Sequence, residues 1–284
     1  MADNLQIYIF TDRKFYLYPN DSFYKLVLLN DIKTDCTLEK IVCDEQKDEI
    51  LKMKHAYSEG AGIHYIWKNV ELPDYIGTNH YRRFFDFWNK GIPDIEKVIE
   101  KVLEEYGAII PSCNFGDPKI TLKDHYERTN NIKDIEIILD IIKNKFPKYY
   151  EIAIKQYNSN LFYPCNLFIL KKETFIEWCE FVFGVLDEYN NIMGFKNDLD
   201  ILNYVANNLS AYCEQHEGLN STTTYQTRIH AFLMERLSTF FFCYKFETGE
   251  LKQPLLKEMY LTEINHKSEA RYFPQYKNTK NIKQ

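Results

Sequence analysis

Apolar residues fall along this chain in two alternating patterns: short unbroken runs, and longer stretches in which they recur every three or four positions. The first pattern is that of buried strands and the second that of amphipathic helices. The run "LQIYIF", Leu5 to Phe10, predicts a buried strand that stops at Thr11 and Asp12 and passes into charge, and "YKLVLLND" repeats that profile. Between residues 46 and 67, Ile50, Met53, Tyr57, Gly60, Ile63 and Trp67 keep helical spacing and predict one amphipathic helix. Tyr75 to Thr78 follows as a short strand with Gly77 inside it. Asp94 then opens a helix with Ile95, Val98, Ile99, Val102 and Leu103 on one face; Gly107 closes it, and "AIIP" begins another strand at once.

The second half continues the alternation. "SCNFGDPK" reads as a loop, and residues 121–145 as mostly helical. "LFYPCNLFIL" reads as a single strand, and "KKETFIEWCEFVFGVLDEY" as a helix packing through Phe175, Trp178, Val182, Val185 and Tyr189. Residues 190–226, rich in Asn, Ser and Thr, are expected to be partly mobile, and a helix from Arg228 to Phe242 to close the core. Strands alternating with helices predict an α/β fold, a mostly parallel central sheet flanked by helices. With no repeat and no linker in the pattern, residues 1–265 are expected to form one domain and residues 266–284 a basic tail.

Composition narrows this picture. The chain has 284 residues, 45% of them hydrophobic, enough to bury a large core without disulfide or metal staples. Its seven Cys are odd in number and form no C-x-x-C pair, which points to buried free thiols. No apolar run approaches the roughly 18 residues of a membrane span, so a cytoplasmic protein is expected. A net charge of −6 argues against nucleic acid as a partner. Only the tail departs from that balance: Lys267, Arg271, Lys277, Lys280 and Lys283 face the single acid Glu269, with Tyr272, Phe273 and Tyr276 between them. It reads either as a solvated end or as a weak peripheral anchor to anionic membrane lipid.

Ligands of open α/β sheets collect beyond the carboxyl ends of the strands. Three predicted strands end in polar residues there: Phe10 into Thr11 and Asp12, Thr78 into "NHYRR", and Ile110 into Pro111. The first suits a nucleotide. The second, with Asn79, His80, Arg82 and Arg83, suits its phosphates, because guanidinium forks make paired, charge-assisted hydrogen bonds to phosphate oxygens. Read blandly, the arginines are surface residues and His80 caps a turn; Gly77, marking a close approach inside the strand, balances the two readings. No G-x-G-x-x-G, P-loop or G-x-S-x-G motif is present, and no His/Cys cluster has metal spacing.

The run "YSEGAGIHYIWKNVELPDYIGTNHYRRFF", with Ser58-Glu59, Trp67-Lys68-Asn69 and the His80 to Arg83 motif, resembles the bacterial capsular and exopolysaccharide glycosyltransferases long catalogued as a domain of unknown function. "PCNLFILKKETFIEWCEFVF" is similar to that family's Asn-Met-Phe-Ile strand and following helix, and "TRIHAFLMERL" to its Arg-to-Glu-Arg-Leu helix. Asp12 stands where the family usually has His, and Leu167 where Met is common. The resemblance implies a GT-A-like, Rossmann-type nucleotide-binding domain that moves a sugar from a nucleotide donor, such as UDP-galactose in pyranose or furanose form, onto a polysaccharide or lipid-linked glycan. Where GT-A enzymes carry a metal-binding acidic motif, this chain has the His80 to Arg83 segment. No metal is therefore required, with magnesium or manganese at most helpful.

Glycosyl transfer needs stabilisation of the departing diphosphate and a base for the acceptor hydroxyl. Arg82, Arg83 and His80 fit the first need. For the second, Glu235 leads, seven residues after Arg228 on the same helix face; a structural contact of Glu235 with Arg228 or Arg236 is the equal alternative. His125 and Asp124 stand in reserve. Asn166 would contact donor or acceptor, or satisfy backbone; Lys68 and Asn69 would line the nucleotide pocket, or cap their helix. Two rival functions remain open: a non-catalytic carbohydrate-binding protein, suggested by 16% aromatic content, and a polysaccharide phosphotransferase.

Overall fold

The computed structural model describes residues 4–13, 21–81, 83–85, 94–111, 113–114, 119–252 and 261–263. Strands β1 (Leu5–Thr11), β2 (Tyr24–Leu28), β3 (Glu39–Val42) and β4 (Tyr75–His80) form a parallel block in the order β3-β2-β1-β4. All seven residues of β1 are buried, as a central strand covered on both faces requires. The rest of the sheet hangs on β4: β9 (Phe168–Lys171) runs antiparallel to Tyr75–Thr78, and β5 (Arg83–Phe85) folds back antiparallel at His80. Backbone pairing continues from β5 to β10 (Leu261–Glu263).

The strand predicted from "AIIP" needs a correction. β6 (Ala108–Ile109) pairs with β9, antiparallel, and is no direct neighbour of a parallel strand. Because β9 is itself antiparallel to β4, β6 still points the same way as β4, and its end reaches the same edge of the sheet. Short β7 (Cys113–Asn114) and β8 (Leu161–Phe162) make a separate antiparallel pair, where the sequence predicts a loop and the start of a longer strand.

The helices are α1 (Lys54–Tyr57), α2 (Glu59–Asn69), α3 (Ile95–Tyr106), α4 (Leu122–Thr129), α5 (Ile132–Lys145), α6 (Tyr150–Tyr157), α7 (Lys172–Met193), α8 (Asp198–Ala206), α9 (Leu209–Tyr212), α10 (Thr223–Gln226) and α11 (Ile229–Glu247). One sheet face, with Tyr8, Phe10, Ile76 and Phe168, packs against a core drawn from α2, α5, α7 and α11. The other, with Ile7, Ile9 and Ile169, packs against Ile99 and Leu103 of α3. α11 is buried all round from Ile229 to Cys243 apart from Glu235, the mark of a helix running through the core. The segment expected to be mobile is instead built of α8, α9 and α10, tied down by Asp198, whose two carboxylate oxygens accept from the His55 and Ala56 backbone N–H groups, both at 3.0 Å. No helix among the described residues is long and apolar enough to cross a membrane.

Gly77 lies beside Ile7 of β1, and a Cβ there would stand 2.7 Å from Ile7 Cγ1. The glycine therefore answers to strand packing and not to a ligand. Ile7 is branched next to the backbone and cannot swing aside, so Gly77→Ala is expected to cost about 1–3 kcal/mol of stability in urea unfolding.

Candidate functional site

The edge where β1 and β4 end carries most of the residues picked out in the sequence. Thr11 closes a tight turn there: its hydroxyl donates to the Arg13 carbonyl at 2.6 Å and accepts from the Arg13 N–H at 3.1 Å. Arg13 grips Asp12 with both arms, at 2.7 and 2.9 Å, and these hydrogen bonds hold the Asp12 carboxyl below its usual range. The same guanidinium lies 5.6 Å from the centre of the Tyr81 ring, which rests against the His80 imidazole at 4.2 Å. The chain reverses between β4 and β5 so that His80 and Arg83 are cross-strand partners, which places their side chains on one face of the sheet. Asn79 is 1% exposed, and neither end of its amide has a hydrogen-bond partner among the described residues. Arg82 lies outside the described residues, as does the tail expected to anchor the chain.

Beside this hairpin the structure assembles a second group, which the sequence reading only partly named. Because β9 is antiparallel to β4, the residues just before it arrive next to His80. They are Cys165 and Asn166, with φ of +67° and +49°, and across from them Ser58 has φ +51°. Three non-glycine residues on the left-handed side of the map, converging at one place, mark backbone held against its preference. Asn tolerates this region best of the three.

The side chains that hold these turns point at one another. Thr78 Oγ1 donates to the Asn166 carbonyl at 2.6 Å and accepts from the Phe168 N–H at 3.1 Å, fastening the turn to β4. Asn166 Nδ2 donates to Glu59 Oε1 at 3.2 Å, while its Oδ1 accepts from Ser238 at 3.0 Å. Arg228 Nε donates to Ser58 Oγ at 3.0 Å. Glu235 Oε1 accepts from the Cys165 N–H at 2.7 Å and its Oε2 from Arg236 at 2.9 Å. Burial lifts the Glu59 carboxyl above its ordinary range; the Glu235 charge adds to the lift and Arg228 opposes it. A carboxyl raised in this way, between an arginine and a second acid, holds a proton more readily than a free one.

Glu235, Arg228 and Asn166 thus gather around Glu59, and Glu235 makes the structural contact with Arg236 that was its alternative reading, both of its oxygens being engaged. Glu59 was missed as a site residue. Its signal is that Ser58 and Glu59 interrupt the predicted amphipathic helix, which is in fact a one-turn segment at Glu49–Met53, then α1, then α2. "LFYPCNLFIL" is likewise two strands divided by the Cys165–Asn166 turn.

Four candidates fall elsewhere. His125 Nδ1 accepts from Arg236 at 2.9 Å, and burial pushes its pKa down to about 4, so it is tied up behind the site as a neutral acceptor. Asp124 closes the capping box of α4 with the Thr121 backbone and hydroxyl, which holds its carboxyl below the usual range. Lys68 and Asn69 end α2, whose start carries Glu59; eleven residues of helix span about 16 Å, which puts them at the opposite edge of the sheet. There Lys68 lies over the Trp67 ring and Asn69 bonds back to the Tyr65 carbonyl, the helix-capping alternative.

Among the described residues, no group of three or more His, Cys, Asp or Glu is placed to hold a metal ion.

The family described as "Domain of unknown function (DUF4422)" matches residues 6–210. No curated protein matches the chain. Among solved structures, the apo form of the bifunctional glycosyltransferase WbbM has the same fold, with a TM-score of 0.68 at 21% identity over 93% of this chain. The chain spans less than half of that protein, 46% of its length.

Proposed function

This chain belongs to the DUF4422 family, and from that premise we propose that it is a glycosyltransferase using a nucleotide-sugar donor, a UDP-hexose such as UDP-galactose, and a surface-polysaccharide or lipid-linked glycan acceptor. The observation that carries the reading is the pairing of two unlike devices on one sheet edge. One is the turn with Asp12 and the His80/Arg83 hairpin; the other is the strained turn that joins Glu59, Asn166, Arg228 and Glu235. The likeness in fold to a glycosyltransferase supports it.

In this reading the diphosphate lies over the hairpin, where Arg83 and Arg82 neutralise it and His80 adds a donor. The acceptor oxygen attacks the anomeric carbon, the bond from that carbon to the diphosphate oxygen breaks, and UDP leaves with the bonding pair. The acceptor's proton passes to Glu59, whose lifted affinity fits the task better than Glu235, with its two oxygens already bonded. Arg228 and Asn166 hold Glu59 in place. A sugar-binding module has no need of the diphosphate grip.

UDP is expected to raise the melting temperature, and a panel of UDP-hexoses to show slow hydrolysis of one member. Absence of both effects overturns the proposal. Arg83→Lys keeps the charge but loses the fork, and is expected to weaken UDP binding by about 1.5–3 kcal/mol in calorimetry. Activity is expected to survive EDTA; complete loss that manganese restores would return the diphosphate to a metal.

A further inference from the structure

Arg236 follows Glu235 on α11. It is 2% exposed, so its charge sits in the core and requires compensation there. Its compensation is ordered on every side but one. Nη1 donates to Glu235 Oε2 at 2.9 Å and to the Phe232 carbonyl at 3.0 Å, and Nη2 donates to His125 Nδ1 at 2.9 Å. The guanidinium carbon lies 4.9 Å from the centre of the Tyr126 ring and 4.7 Å from that of Phe162, so aromatic faces flank it. Nε has no partner among the described residues.

A buried arginine of this kind gives little net stability, since an apolar side chain of the same volume would serve a core as well or better. What it gives is direction. A planar fork anchored by His125 and a helix carbonyl fixes the carboxylate it meets, and that carboxylate reaches the Cys165 N–H with its other oxygen at 2.7 Å. The Cys165 N–H belongs to the turn whose next residue bonds Glu59 through its side chain.

We infer that Arg236 is a positioning residue: acting through Glu235, it holds the left-handed Cys165–Asn166 turn in the one arrangement that presents Asn166 to Glu59. Arg236 touches no reacting atom in this scheme. The proposal rests on the reading of Glu59 as the acceptor of the transferred proton, and it assigns to His125 the role of second anchor of the guanidinium. It also explains why His125 is kept neutral: a protonated imidazole has no lone pair to offer Nη2.

The test uses the full-length chain, with Arg236→Met and Arg236→Lys as variants. Lysine is the conservative replacement, but one ammonium cannot meet Glu235 and His125 in the plane that the fork fixes. Amide hydrogen exchange is read at Cys165, with Ile7 and Ile9 on the buried central strand β1 as controls for folding. Both variants are expected to lose at least tenfold in protection at Cys165 while the controls hold. UDP-hexose hydrolysis is expected to fall at least tenfold in kcat, with the UDP dissociation constant changed less than twofold. A purely structural arginine would instead move the control amides together with Cys165. Unchanged protection at Cys165 in the lysine variant overturns the positioning role, whatever happens to activity. Lost protection with unchanged hydrolysis supports the positioning role and takes down the glycosyl-transfer reading of the site.

Discussion

Glu59→Gln is expected to lower turnover by about a hundred- to ten-thousand-fold while UDP binds as before, because the amide keeps the shape of the carboxyl and cannot accept the acceptor's proton. The same change is expected to leave stability at pH 7 unchanged or higher. Burial raises the Glu59 pKa in the folded protein. A carboxyl with a raised folded pKa binds its proton more tightly when folded, so stability falls as pH climbs from the unfolded value, about 4.3, through the folded one. Above that window the ionised Glu59 is a net cost, which the neutral amide removes. Urea unfolding at pH 7 and near pH 4 reads the difference: the advantage of the variant is expected to disappear at the lower pH. Stability and turnover falling together would mean that Glu59 only props the turn.

Asn166 separates backbone from side chain. Its amide joins Glu59 to Ser238, and Ser238 also accepts from Trp178 at 3.1 Å, so Asn166→Ala leaves a buried chain of polar groups with a gap in it. Alanine is also poorly suited to a φ of +49°. Together these are expected to cost about 2–4 kcal/mol. Asn166→Gly loses the same amide but accepts the backbone, and is expected to be more stable than the alanine variant by about 1 kcal/mol. Turnover should fall alike in both, by more than tenfold. Equal stability of the two would show that the turn carries no strain.

Strands β1, β2 and β4 were legible because each is a short run with apolar residues ended by polar ones, and β1, covered on both faces, is the clearest; β3, whose residues are exposed or half-buried, carries no such run. The neighbours of β6 were not. A strand of two residues carries no periodicity, and its direction is set by β9, which arrives some sixty positions later in the chain. Lys68 and Asn69 were misplaced by judging nearness along the sequence, when α2 carries the chain across the sheet between Glu59 and Asn69. Asn79, His80 and Arg83, proposed to face the diphosphate, could be picked out together because they lie in one segment. Glu59 could not, although Asn166, Arg228 and Glu235 were each singled out, because the groups that meet it come from the turn before β9 and from α11 and its start, and the left-handed turn that joins them has no glycine to announce it. Pro164 ahead of Cys165 and Asn166 is the turn signal that the sequence does offer.

The distances between those parts along the chain bear on how the protein comes into being. Asn166 and Glu59 are 107 positions apart, and Arg228 and Ser58 are 170 apart. During synthesis the parallel strands can pair long before α11 has left the ribosome, while the acid cluster has to wait for it. On the proposed reading, a nascent chain is folded in part but inactive until its last long helix docks, and a chain cut short ahead of α10 would remain so. Supplied in trans, a fragment beginning at α10 would be expected to switch such a chain on.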